Sequence, residues 1–425
     1  MKILLRKIES EWPAWTAIAF VALLPVRRLS ELPLVVFALA LPFLARSRRH
    51  RERVRAVAVW VTPLFLAYWL PMLLSSFDSY DPGKSWGQTL AAIRFPMAAI
   101  SVAVLLHPRS LRWKFLLWSS LILVFWAADG FIQLIFGYDL FGVPAHEDRL
   151  NALFFTRHQF YGPVMAMLSP LLLEYARRHW PGWAWAGSFA LVMGAVMIAG
   201  MRSGWLAMAM VIGVYGILML RRENRELRRI TLAIPAIAII VIALSYAVSP
   251  LFQQRVAATL AITAGTEEAV DLASSLRVPI FRNSLRMYEA HPVNGVGVRA
   301  FPVAYLEFAD PDDPHVAATG GKRGATHAHN VVLEVLADTG TIGLLAWLAG
   351  TWFGWRRWGA MTPDQRQEAF PFVLALGLVL FPLNTHFAIY GTYLSSLIWM
   401  LVGLWLSAGD ETVRAPDPQP RASEP

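Results

Sequence analysis

Arginines and histidines stand where polar segments of this chain meet apolar ones. Arg202 lies in Met201-Arg202-Ser203-Gly204, between two closely joined apolar stretches. A charge there is costly unless it is paired or faces a watery cavity. Arg277, Arg282 and Arg286 follow in a polar segment whose pattern predicts a helix. Arg282 and Arg286 are four apart and share one face of it. Arg277 comes five before Arg282, about 140° around the axis, and points elsewhere. Guanidinium groups bind phosphate bidentately and do not deprotonate. An anionic ligand is one reading of this set. The other is ion pairing with loop acids such as Glu267, Glu268, Asp271 and Glu289, or with lipid phosphates.

The second constellation is Thr326-His327-Ala328-His329-Asn330, at the start of another apolar stretch. On a helix beginning there, Asn330, Glu334 and Asp338 fall in one row, and Gly340 and Gly343 permit close backbone packing. A histidine at a membrane surface is placed to exchange a proton near neutral pH. It also serves as a cap or interface residue. A metal reading would use His315, His327, His329 and the Asp310–Asp313 cluster, but the spacing matches no closed site. Within apolar stretches, Arg94 and Asp129 sit at similar depth, so they are expected to pair or to line one polar cavity. His386 and Asn384 are expected to be structural. Lys84 and Arg149 fall in outer loops. No phosphate-binding loop ending in Gly-Lys-Ser/Thr is present, and Gly295-x-Gly297 follows a helix instead of opening one.

The elements that must position these residues are apolar helices. Of 425 residues 56% are hydrophobic and 16% charged. A soluble domain averages about 45–50% apolar and about 25% charged. Disorder is excluded by the same richness in apolar residues. With no cysteine, disulfides, thiol nucleophiles and thiolate-bound metals are excluded. A membrane span needs about 20 mostly apolar residues. Twelve are expected: 11–26, 29–45, 54–77, 86–106, 113–136, 159–176, 183–200, 204–220, 230–248, 329–353, 370–388 and 390–408. Of the 38 Lys and Arg, 24 fall in the termini and loops on one side and six in the short loops on the other. The richer side is cytoplasmic, with both ends of the chain on it. The +9 net charge therefore reports topology and not a nucleic-acid partner.

The expected fold is an all-α polytopic membrane protein of about 12 transmembrane helices with one large helical periplasmic loop. Residues 1–248 hold helices one to nine, 249–328 the loop, 329–408 the last three helices and 409–425 a cytoplasmic tail. Loops beyond about 12–15 residues are usually functional or disordered. This one has an apolar-periodic start (Leu251, Phe252, Val256, Leu260) and Ser274-Ser275 as a cap. A helix from about 276 to 290 follows, stopped by His291-Pro292. Then come a turn at Asn294–Gly297 and an acidic, proline-rich run at 310–314.

These residues resemble the O-antigen ligases and the related O-antigen polymerases and protein O-oligosaccharyltransferases. Arg202-Ser203-Gly204-Trp205-Leu206 is similar to the ligase pattern of Arg, three residues and Leu. His329-Asn330, nine residues, Gly340, two residues and Gly343 resembles the ligase signature around its essential histidine. Arg286, ten residues and Gly297 is similar to an Arg-x10-Gly pattern of polymerases. Pro292-x-x-Gly295-x-Gly297 resembles the superfamily's loop turn. Gly137-Tyr138-Asp139-Leu140-Phe141-Gly142 with Arg149-Leu150 is a looser likeness, departing where Ala152 stands in place of a common Gly.

The resemblance implies a glycosyltransferase of the bacterial inner membrane with its active site facing the periplasm. The donor would be a glycan on undecaprenyl pyrophosphate and the acceptor a sugar hydroxyl of lipid A–core. Transfer would invert the anomeric centre and use no metal and no other cofactor. It implies His329, Arg202 and Arg277 as catalytic residues. Arg282, Arg286, Lys84 and Arg149 would bind substrate, and Arg94, Asp129 and Asn330 would be structural or line the cavity. Apolar spans beside Arg202 would hold the polyprenyl tail. A polymerase or protein oligosaccharyltransferase is the alternative within the superfamily, and a lipid-linked glycan flippase the alternative from another class.

Overall fold

The computed structural model describes residues 2–26, 29–147, 149–154, 160–220, 225–266, 270, 274–383 and 387–409. Among the described residues every regular element is a helix. In chain order they are α1 (Lys2–Ala22), α2 (Glu31–Arg46), α3 (Arg51–Ser75), α4 (Pro82–Ala91), α5 (Arg94–Leu105), α6 (Arg109–Phe136), α7 (Tyr161–His179), α8 (Gly182–Ile198), α9 (Arg202–Leu220), α10 (Arg225–Val248) and α11 (Pro250–Leu260). After a short 3₁₀ turn (Ala261–Ala264) come α12 (Arg277–Ala290), α13 (Phe301–Phe308), α14 (Pro314–Ala317), α15 (Val331–Ala360), α16 (Pro363–Val379) and α17 (Thr392–Ser407).

Each expected apolar span overlaps a helix or a helix pair. By length and composition, four are able to cross a membrane: Arg51–Ser75, Pro82–Leu105, Arg109–Phe136 and Val331–Ala360. A fifth is formed if Ile234–Val248 and Pro250–Thr263, bent by 107°, count as one broken span. Gly182–Ile198, Arg202–Leu218 and Thr392–Ser407 are shorter apolar helices. The chain is a multi-pass membrane protein.

Helix α5 packs between α2 and α17, and α15 lies along α3. Helices α6 to α10 form a second group, joined to the first by α16, which touches both α7 and α17. One apolar core runs through both groups. A separate small core lies in the segment after α11, where Ile280, Met287, Val296, Phe301, Ala304 and Tyr305 meet Ala325, Ala328 and Ala337. The long polar stretch is therefore folded where it is described, and α12 docks it along α15.

Helix α12 forms where its sequence predicts it. The Ser274 hydroxyl accepts from the Arg277 backbone N–H at 3.3 Å, Pro279 sits in the first turn, and His291 caps the end before Pro292. Glu267, Glu268 and Asp271, expected as pairing partners, lie outside the described residues, as do Asn384, His386 and the tail from 410.

Candidate functional site

Helix α9 begins at Arg202 because the chain reverses tightly before it. Gly200 takes φ +70°, a backbone that favours glycine, and a Cβ there would meet Leu251 at 3.3 Å. Gly204 lets the first turn approach α7: a Cβ would stand 3.3 Å from the Gly162 backbone. Trp205 and Phe252 pack edge to face with centroids 4.8 Å apart, seating α11 on the same turn. This fixes Arg202 beside the polar segment, where its Nη2 donates to the Ser275 hydroxyl at 3.2 Å.

Ser275 and Leu276 both have positive φ (57° each). Left-handed backbone costs a non-glycine residue roughly 1–2 kcal/mol. The double turn is held by the Arg202–Ser275 bond and by His315 Nε2, 2.7 Å from the Leu276 carbonyl. It delivers Arg277, the first residue of α12, back toward Arg202.

Arg149 reaches the same place from the α6–α7 connection. That connection is organised by three side chains of its own neighbourhood. Asp129 accepts from Leu140 N–H at 2.8 Å, and Asp139 from Phe141 and Val143 N–H at 2.9 and 2.7 Å. Gln133 accepts from Asn151 and Ala152 N–H at 3.1 and 2.8 Å. Ala152 has φ +43°, the conformation in which glycine costs least. Burial, reinforced by the charges of Arg202 and Arg149, pushes the Arg277 guanidinium down to about 10. Arg255 of α11 stands within Coulombic reach of Arg202 and adds a fourth like charge. Such a concentration of half-buried arginines favours an anion that brings several negative oxygens. Arg255 was not singled out in the sequence. Its signal was that it is the lone charged residue of α11, following Gln253 and Gln254.

The histidines sit at the start of a broken helix. Gly340 interrupts α15 with φ 63° and ψ −159°. Carbonyls before the break and N–H groups after it lose their intrahelical partners. The turn after α12 replaces them. Val296 and Gly297 N–H donate to the Ala337 and Asp338 carbonyls (2.8 and 3.1 Å), while Thr341 and Ile342 N–H donate to the Pro292 and Val293 carbonyls (2.8 and 3.1 Å). A Cβ at Gly340 would lie 2.4 Å from the Val293 backbone, and one at Gly295 2.5 Å from the Ala337 carbonyl oxygen. The expected close backbone packing at Gly340 is thus explained by the docked turn.

His329 precedes the helix, with φ +50°. Its ring lies 3.9 Å from that of His327, at 40°. His327 Nδ1 is 3.0 Å from the Thr326 hydroxyl. Asn330 is the N-cap, its side chain accepting from Leu333 N–H at 3.0 Å. Glu334 and Asp338 continue its row into the core, 1% and 2% exposed. Asp338 accepts from Arg299 N–H at 3.1 Å, and Arg299, itself at φ +65°, carries its guanidinium against Gly391. Arg299, Glu334 and Asp338 were not among the expected site residues. Both groups are tied to α12: Arg277 opens it, and α15 packs along it.

The other expected residues have partners of their own. Arg286 donates to Asp310 at 2.8 Å, to the Phe308 carbonyl at 2.9 Å and to Asn283 at 3.2 Å. Arg282 lies 3.4 Å from the same Asp310. The Arg286 guanidinium beside Asp310 holds its carboxyl below the usual carboxylate range. Lys84 pairs with Asp81, the N-cap of α4. The expected Arg94–Asp129 pair does not form. Arg94 bonds Glu31 of α2 at 3.0 Å, and Asp129 turns to the Leu140 backbone. Equal depth did not make them neighbours, because the chain breaks at residues 92–93 and Arg94 opens α5 facing α2.

Residues 164–348 match a family model described as O-antigen ligase. The chain carries an O-antigen ligase family domain. No curated protein matches the chain. The ligase-family match begins inside α7 and ends inside α15. It takes in Arg202, Arg255, Arg277, Arg282, Arg286, Arg299, His329, Asn330 and the Gly340 break. Lys84, Arg94, Asp129 and Arg149 lie before it, so Arg149 is brought to the ligase-family segment by the fold alone. The match to this domain supports an enzyme of the glycosyltransferase-like ligase and polymerase superfamily, with a lipid-linked glycan donor and a lipid acceptor in general terms.

Proposed function

We propose that the chain is an O-antigen ligase. It would transfer a glycan from undecaprenyl pyrophosphate to a sugar hydroxyl of lipid A–core at the periplasmic face of the inner membrane, through a bundle of about twelve spans. The observation that carries this reading is the convergence of Arg149, Arg202 and Arg277 from three separate parts of the chain, with Arg277 partly stripped of solvent. A pyrophosphate develops negative charge as it departs. Fixed cations in a water-poor site stabilise that charge more in the transition state than in the ground state.

In the proposed step the acceptor oxygen forms a bond to the anomeric carbon as the bond from that carbon to the pyrophosphate oxygen breaks. The leaving oxygen keeps the electron pair beside Arg202 and Arg277. His329 takes the hydroxyl proton. Attack opposite the leaving group inverts the anomeric centre. No metal is required in this scheme, because arginines supply the charge. His327, whose ring lies 3.9 Å from that of His329 at 40°, would orient it. Arg149 would contact the distal phosphate. Arg282, Arg286 and Lys84, which have carboxylate partners, would act at the margin of the donor glycan.

The test is genetic and biochemical together. Deletion in the native host should leave lipid A–core without O-antigen while lipid-linked polymer accumulates. Accumulation of single repeat units would instead identify a polymerase. Purified His329→Ala and Arg202→Ala should melt like the parent yet transfer no glycan. Full transfer by either would refute the assigned roles.

A further inference from the structure

At the end of the bundle opposite His329, two features meet that the proposed transfer does not use. The first is a basic pocket of about 290 Å³ between α7, α9, α15 and α16. Arg177 holds Glu174 bidentately at 2.7 and 2.8 Å, and Arg178 bonds the same carboxylate at 3.0 Å. Glu368 is shared by Arg109 at 2.9 Å and by Arg112 and Arg178 at 3.6 Å. Arg366 donates to the carbonyls of Trp358 (3.0 Å) and Gly359. Of these, Arg177, Arg178, Arg366 and Glu174 line the pocket, so three arginines stand there against one glutamate and positive charge is left over.

The second feature is a groove of about 530 Å³ running along α15 between α3, α16 and α17. Gly343, Gly350 and Gly354 of α15 and Gly377 of α16 are among its lining residues. From Gly343 to Trp358 it covers sixteen residues of helix, a rise of about 22 Å. That exceeds the roughly 15 Å hydrocarbon depth of one leaflet. Trp358 lines both the groove and the basic pocket, so the two adjoin at this side chain.

We infer that this end binds one anionic glycerophospholipid, its phosphate in the Arg177–Arg178–Arg366 pocket and one acyl chain in the α15–α16–α17 groove. Charge decides the occupant. The far end of the groove reaches Tyr390, which lies against Glu334 through its backbone N–H at 3.5 Å. A pyrophosphate there would face Glu334 and Asp338. The basic end, by contrast, suits a single phosphate diester. Basic pockets between membrane helices hold anionic headgroups in this way. The inference is independent of the transfer reaction.

The experiment reconstitutes the full chain in nanodiscs of equal phosphatidylglycerol and phosphatidylcholine, extracts it in mild detergent, and counts retained lipids by native mass spectrometry. The parent should retain phosphatidylglycerol over phosphatidylcholine by about fivefold or more, the preference of roughly one surface arginine. Raising the salt to about 1 M, where screening acts within a few ångströms, should erase that preference. Arg366→Gln leaves no carboxylate unpaired and should reduce the preference about fivefold while chain retention persists. Gly377→Leu places its side chain in the groove, since a Cβ there meets nothing within 4 Å. It should lower retention of both lipids. Equal retention of the two lipids by the parent overturns the proposal. So does unchanged retention in Gly377→Leu, or replacement of the phospholipid by added undecaprenyl phosphate.

Discussion

Gly295→Ala isolates what the docked turn contributes to this protein. Gly295 has φ +71°, and the new Cβ would lie 2.5 Å from the Ala337 carbonyl oxygen, the Asp338 carbonyl carbon and the Thr339 nitrogen. All three are backbone atoms and none can rotate away. The left-handed backbone costs alanine about 1 kcal/mol. Relief of the clash moves the turn off α15 and loses the Val296–Ala337 and Gly297–Asp338 bonds. Each is worth about 1 kcal/mol, and each leaves a buried group unpaired. The expected loss is about 3 kcal/mol. Gly320→Ala is the control: φ is +62° but nothing lies within 4 Å, so only the backbone cost of about 1 kcal/mol remains. The 18 tryptophans make thermal melts by intrinsic fluorescence practical in detergent. Gly295→Ala should melt about 2 °C below Gly320→Ala. Equal melting of the two variants would refute the argument, because it would mean that the turn does not bear on α15.

Further outcomes follow from the site and its surroundings. Arg277, at about 10, keeps its charge well above neutral pH, so inorganic pyrophosphate binding should be flat to about pH 9 and fall as pH rises through 10. The same surroundings acting on a lysine, ordinarily about 10.4, should lower it in the same direction, so Arg277→Lys should lose binding at a lower pH than the parent. A profile for Arg277→Lys identical to the parent's, read by calorimetry, would contradict that environment. Arg286→Ala should lower the melting temperature by removing two bonds that tie α12 to the 308–310 segment and one within α12, whereas the exposed Arg282→Ala should leave it unchanged within error. In a double-mutant cycle, Arg94→Gln and Asp129→Asn should show a coupling energy near zero, since their partners are separate.

Much of the layout was legible because membrane spans and helix faces are written in local patterns. The angle of about 140° separated Arg277 from Arg282 and Arg286, and the fold sends the former to Arg202 and the latter two to Asp310. The Ser274 cap and the stop at His291-Pro292 were equally local. What was not legible is long-range. Arg94 and Asp129 share a depth, but depth fixes one coordinate and leaves the direction open. Gly340 reads as a small packing residue until the segment that fills its break is known. Glu334 and Asp338 look like an ordinary polar stripe, and only the fold buries them beside Arg299. Arg255 gains its neighbours from a helix bend of 107° that no window of sequence contains.

The break at Gly340 also decides where this protein can be cut and recombined. The four backbone bonds across it join residues 292–297 to residues 337–342. A chimera that exchanges only the polar segment up to residue 328 would present a foreign turn to a native break. The donors and acceptors of α15 would then meet partners of the wrong register. The transplantable module is instead the segment through residue 342, carrying the histidine pair and the first turns of α15 with it. Sequence drift in the turn and in the helix must also be correlated, because a change on one side of the break alters what the other side can pair with.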